Sequence, residues 1–66
     1  MLNAEEIGAR LAKLRGSRSQ SEVASAIGVS RSAVCNYEAG VRVPRDEIKV
    51  ALAKYYRTTV AKIFYN

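Results

Sequence analysis

The stretch Ser19 to Gly40, SQSEVASAIGVSRSAVCNYEAG, decides how the rest of the chain is read. Ser19 followed three residues later by Glu22 is a capping box. The serine oxygen takes the amide at the third helical position, the glutamate reaches back to the cap amide, and a helix starts at Gln20. Val23, Ala24 and Ile27 share one face of it, and Gly28 supplies the left-handed residue that commonly closes a helix. Ser30 then suits the N-cap of another helix running from Arg31 to about Ala39. Val34 and Tyr37 lie on its inward side, and Gly40 ends it.

Counted from Gln20, Ala24 falls in fifth place, Gly28 in ninth, Val29 in tenth, Val34 in fifteenth and Tyr37 in eighteenth. Each has a steric role in two short helices that cross closely. The small Ala24 lets the second helix approach, the glycine makes the turn, and the later apolar residues seat the pair on a core. A helix-turn-helix over about residues 20–39 is therefore expected.

Outward from this unit the pattern stays helical. Between Asn3 and Arg15 the apolar Ile7, Leu11 and Leu14 alternate with Arg10, Lys13 and Arg15, and Glu5 and Glu6 sit in the first turn, where the helix dipole favours acids. Val41 to Pro44 reads as a loop with basic neighbours Arg42 and Arg45. Asp46 to Arg57 is helical by composition, with Ile48, Leu52 and Tyr56 recurring at four. Thr58 or Thr59 can cap a last helix holding Val60, Ile63 and Phe64. With no β-alternation, repeat or linker, the expected fold is all-α with five helices in a single domain, residues 1–66.

Sixty-six residues allow one core at most, and 48% hydrophobic with 26% charged residues is globular composition. The formal net charge of +5 and a sequence pI near 9.8 draw the chain toward polyanions, nucleic acid or an anionic membrane. No apolar run approaches the roughly 18 to 20 residues that span a bilayer, and MLNAEEIG carries acids where a signal peptide has positive charge; a cytoplasmic place is expected. A basic helical peptide acting on membranes would need one large uninterrupted apolar face, whereas here the apolar residues are shared among short helices. Cys35 is the only cysteine and there is no histidine, which argues against a disulfide, a metal site and the commonest general base. Neither an enzyme nor a cofactor or small-molecule ligand is expected.

Ser19-Gln20-x-x-Val23-Ala24-x-x-Ile27-Gly28-Val29-Ser30-x-x-x-Val34-x-x-Tyr37-Glu38-x-Gly40 resembles the phage-repressor and Cro-type (Xre-like) helix-turn-helix family. Arg42-Val43-Pro44, Leu52-Ala53, Thr59-Val60 and Ile63-Phe64 are similar to its later landmarks, so the resemblance covers nearly the whole chain. It implies a compact lambda-repressor-like domain whose third helix lies in the DNA major groove. The base-reading residues would be Ser30, Arg31, Ser32 and Asn36. Arg31 can grip guanine O6 and N7, and Asn36 can pair with adenine or reach a phosphate. For Arg31 the plain alternative is a solvated surface arginine or a nonspecific phosphate contact.

The same resemblance implies a phosphate contact for Gln20, with Arg42, Lys13, Arg10 and Arg18 as further phosphate candidates. For Arg10 and Arg18, ordinary solvated charge is the alternative. It also implies an ion pair between Lys13 and Glu38. Binding as a homodimer is expected, with Tyr55, Val60, Ile63, Phe64 and Tyr65 as interface candidates, although Ile63 and Phe64 would equally close a monomer core. The chain departs from the family at Arg18, which stands where an apolar residue is usual, and at Asp46 and Lys49, where leucine is frequent. The implied function is a transcriptional regulator, most simply a repressor. The competing reading is a protein-interaction module on the same fold, such as an antitoxin-like partner or antirepressor.

Overall fold

The computed structural model describes residues 1–66. Five helices follow one another without a strand: α1 (Ala4–Arg15), α2 (Gln20–Ile27), α3 (Arg31–Glu38), α4 (Asp46–Tyr55) and α5 (Ala61–Tyr65), the last wound as a single π-helical turn. The first three are started by the side chains at their N-caps. Asn3 Oδ1 accepts from the Glu6 amide at 2.8 Å, Ser19 Oγ from Glu22 at 3.0 Å and Ser30 Oγ from Ala33 at 3.1 Å. Each bond satisfies an amide that the helix itself leaves free. Of the capping box, the structure forms the serine half. Gly28 closes α2 at φ 76°, a left-handed conformation that a side chain would strain.

Ile7, Leu11, Val23, Ala24, Val34, Tyr37, Leu52, Ala53, Ile63 and Phe64 form one core, to which every helix contributes. Ala24 is buried in the α2–α3 packing, as its small size required. α1 and α3 approach closely at Gly8. A Cβ on Gly8 would lie 2.7 Å from the Tyr37 carbonyl oxygen and nearer still to that of Glu38. The α1 backbone therefore rests directly on the C-terminal end of α3.

The second half differs from the expectation in two ways. α4 stops at Tyr55, two residues short of Arg57, because the chain must reverse into α5. Arg57 takes a left-handed φ of 56°, and the Thr58 amide reaches back to the Ala53 carbonyl at 2.9 Å. With arginine rather than glycine there, no composition signal marked the stop. The buried stripe of α4 is Lys49, Leu52 and Ala53, while Ile48 and Tyr56 are only half-buried. Thr59 supplies the cap of α5, its Oγ1 accepting from Lys62 at 3.1 Å.

Lys49 is 7% exposed. Its ammonium lies 3.6 Å from Asp46 Oδ1, 3.4 Å from Met1 Sδ and 3.5 Å from Tyr65 Oη, above the rings of Phe64 and Tyr65. The aliphatic stem fills the place of a leucine and the head finds polar and aromatic partners at the rim. Both departures on α4, Asp46 and Lys49, are thus parts of one arrangement.

Candidate nucleic-acid interface

Ser30, Arg31 and Ser32 are exposed at the N-terminal end of α3, and Asn36, about one turn further on, is half-buried. The buried Val34 and Tyr37 hold the other side of the helix to the core. Ser30 uses an oxygen lone pair on the Ala33 amide, which leaves its O–H free to donate outward. Arg31 has no ion-pair partner in the protein. Cys35 is exposed beside these residues, one turn beyond Arg31 on the same face. After α3 the Asn36 carbonyl accepts from the amides of Val41 at 3.0 Å and Arg42 at 3.3 Å. This turn holds the exposed Arg42 close to the end of α3, and the buried Pro44 then anchors the loop ahead of the exposed Arg45.

Glu38 organises the junction of α1, α2 and α3. Its side chain is 8% exposed and is gripped bidentately by Arg15, Nε to Oε2 at 2.7 Å and Nη2 to Oε1 at 3.0 Å. Gln20 Nε2 donates to the same Oε1 at 3.0 Å. This bond to Glu38 raises the Arg15 pKa above its ordinary value, so the guanidinium keeps its charge. The expected Lys13–Glu38 pair is not formed. Arg15 lies two turns from Gly8 on the face that meets α3, whereas Lys13 lies roughly 140° away round the helix. Lys13 instead borders an open groove of about 490 Å³ with Arg10, Leu14, Thr58, Lys62 and Ile63.

Two of the expected phosphate contacts are occupied by the protein's own oxygens. The Arg10 guanidinium donates to the carbonyls of Lys62 and Asn66, tying α1 to the end of α5. Arg18 donates to the carbonyls of Leu14 at 2.9 Å and Arg15 at 3.2 Å, and its guanidinium sits 5.1 Å from the ring centres of both Tyr55 and Tyr56. The two tyrosines meet edge to face at 5.0 Å. Arg18 thus stands in for the family's apolar residue by capping α1 and covering an aromatic pair. Burial, reinforced by the charge of Glu38 and opposed by the two arginines, pushes the Tyr56 phenol up to about 12.

Of the interface candidates, Ile63 and Phe64 are 1% and 0% exposed and belong to the core. They close the apolar layer beneath α1 and α4 and present nothing to a second copy. Tyr55 is half-buried under Arg18, Val60 is half-buried, and Tyr65 remains 48% exposed. Gly8, Arg15 and Lys49 contribute contacts that local sequence pattern does not announce. The one sequence signal for Arg15 was its seven-residue spacing from a glycine on the same helix face.

A family model described as a helix-turn-helix domain matches residues 6–63. The chain belongs to the helix-turn-helix family. Comparison with curated protein sequences gives no significant match. Among solved structures, this helix-turn-helix chain is similar to the restriction-modification controller protein C.AhdI from Aeromonas hydrophila, at 28% identity and a TM-score of 0.83 over 92% of this chain and 96% of that one. It is similar to the clp gene regulator ClgR from Corynebacterium glutamicum at 25% identity and a TM-score of 0.83, covering 96% of this chain and 69% of that one. In fold it also matches the P22 c2 repressor, solved with a synthetic operator, at 23% identity and a TM-score of 0.86 over 89% of this chain and 92% of that one. The phage-repressor resemblance and the lambda-repressor-like architecture of five helices both stand. No helix is long and apolar enough to cross a membrane.

Proposed function

We propose that this helix-turn-helix protein is a sequence-specific DNA-binding transcriptional regulator, most simply a repressor, which lays α3 in the major groove of a pseudo-palindromic operator and binds as a homodimer. The observation that carries this reading is the exposed, unpaired Arg31 between two exposed serines, at the leading end of a helix whose other side is locked in the core. That arrangement offers one bidentate donor for guanine and two hydroxyls that suit several base edges.

Gln20, at the first position of α2, and Arg42, in the loop after α3, are assigned to backbone phosphates; they fix register and leave sequence to α3. Asn36, half-buried, is assigned to the edge of the read sequence. The longest dimension of the molecule is 26 Å. That is less than the roughly 34–36 Å between successive major-groove half-sites, so one copy serves one half-site and a palindrome takes two. Tyr65 and Val60 are the remaining interface candidates on α5 and its approach. The related structures, a gene regulator, a restriction-modification controller protein and a repressor with a synthetic operator, support the same reading.

The test is selection of bound duplexes from a random pool at a stated salt concentration, repeated with Arg31→Ala. The wild type enriches a two-fold motif. The variant loses a guanine preference at one position per half-site, at a cost of about 1 to 3 kcal/mol. A pool that enriches no motif would refute sequence-specific regulation.

A further inference from the structure

Glu38 presents a difficulty for a DNA-binding surface. It is a carboxylate bonded to Gln20, the residue assigned to a phosphate, and two anions on one amide would repel. The structure removes the repulsion in a specific way. Both carboxylate oxygens are taken by the Arg15 guanidinium, whose remaining Nη1 is fixed to the Arg18 carbonyl at 2.8 Å. Arg18 is in turn held by the carbonyls of Leu14 and Arg15 and by two tyrosine rings. The acid is neutralised, nearly buried and anchored to the end of α1, yet Oε1 still reaches Gln20 Nε2 at 3.0 Å.

A primary amide carries two N–H groups. One of Gln20's is held by Glu38, which fixes the plane of the amide and the direction of the other. Gln20 is also the first residue of α2, where its own backbone amide and that of Ser21 have no partner within the helix. Glu22 and Val23 amides, by contrast, already bond Ser19.

We infer that Glu38 is a positioning residue for DNA binding: clamped by Arg15, it aims the free N–H of the Gln20 amide, together with the first amides of α2, at a single backbone phosphate. Because Glu38 is the last residue of α3, this bond ties the far end of the base-reading helix to the phosphate anchor and sets the register between them. The inference rests on the DNA-binding reading of Gln20 proposed above.

The experiment uses the full chain and its selected duplex, with methylphosphonate replacing the phosphates one at a time, and five proteins: wild type, Gln20→Ala, Glu38→Ala, Glu38→Gln and the double variant Gln20→Ala with Glu38→Ala. In the wild type one methylphosphonate position per half-site lowers affinity about tenfold, the scale of one charge-assisted hydrogen bond. The penalty at that position alone disappears in Gln20→Ala and also in Glu38→Ala, and the double variant is no weaker than the poorer single one. Glu38→Gln, which keeps an acceptor oxygen and guards against a folding defect, retains most of the penalty. In free wild type, one Gln20 side-chain proton is shifted and protected from exchange in NMR spectra, and Glu38→Ala removes both signatures. If Glu38→Ala weakens every duplex alike and keeps the position-specific penalty, Glu38 is only structural and the inference is overturned. If Gln20→Ala itself changes no methylphosphonate penalty, the phosphate assignment of Gln20 fails first and the inference fails with it.

Discussion

Six of the seven arginines of this protein divide into two groups that composition cannot tell apart. On the α1 side, Arg10, Arg15 and Arg18 direct every hydrogen bond of their guanidinium groups at the protein's own carbonyls and a carboxylate, and Arg18 also lies over two aromatic rings. Around α3, Arg31, Arg42 and Arg45 stand exposed without an ionic partner. The first group holds three helices in a fixed relation. The second is available to something else. A net charge of +5 attracts polyanions whichever group supplies it, but only side chains with unused donors can hold one in a defined pose.

The contrast predicts that variants separate cleanly into stability effects and affinity effects. The largest stability effect falls on Arg15→Ala, which leaves the nearly buried Glu38 without its counter-charge. The largest loss of the set is expected in urea unfolding. Arg42→Ala should leave unfolding within about 0.5 kcal/mol of wild type. It weakens binding to all duplexes alike and lowers the slope of log affinity against log salt by about one. A sequence-dependent effect there would move Arg42 from phosphate to base contact. Arg18→Ala, through the lost stacking on Tyr55 and Tyr56, is expected to cost about 1 kcal/mol of stability with an unaltered salt slope. A reduced slope would return Arg18 to the DNA-binding group.

The smallest effect concerns pH. The folded-state phenol of Tyr56 is pushed up to about 12 from an ordinary value near 10. Between these values the folded protein keeps a proton that the unfolded chain has lost, so stability is full below pH 10 and declines as pH rises toward 12. Tyr56→Phe should be nearly neutral at pH 7 and should flatten that decline. An unchanged alkaline profile in the variant would assign the loss to other groups.

What could be read from the sequence follows the same division. The caps Asn3, Ser19 and Ser30, the turn at Gly28 and the inward Ala24, Val34 and Tyr37 act within a few residues of themselves, so local chemistry sufficed to place them. The exposed set on α3 followed from that periodicity together with the family resemblance. The partner of Glu38 did not, because the choice of Arg15 over Lys13 is made by the way α1 settles on α3 at Gly8, across thirty residues of chain. Lys49 was hidden because burial of a long cation depends on partners from both ends of the chain, Met1 and Tyr65. The placement of Ile63 and Phe64 turned on whether the core needed them, which no short window of sequence reveals. Arg57 carries no local signal for the end of α4, because the left-handed residue there is not a glycine.

The contact at Gly8 bears on how a DNA-binding α3 would behave under load. Most helix pairs meet through side chains, which yield by changing rotamer. Here a main-chain methylene meets carbonyl oxygens, and nothing compressible lies between them. Two helices in such contact would move as one stiff lever, and a duplex of the wrong curvature would then have to deform itself. Sequences that bend at little cost would then be favoured even at base pairs that no side chain touches.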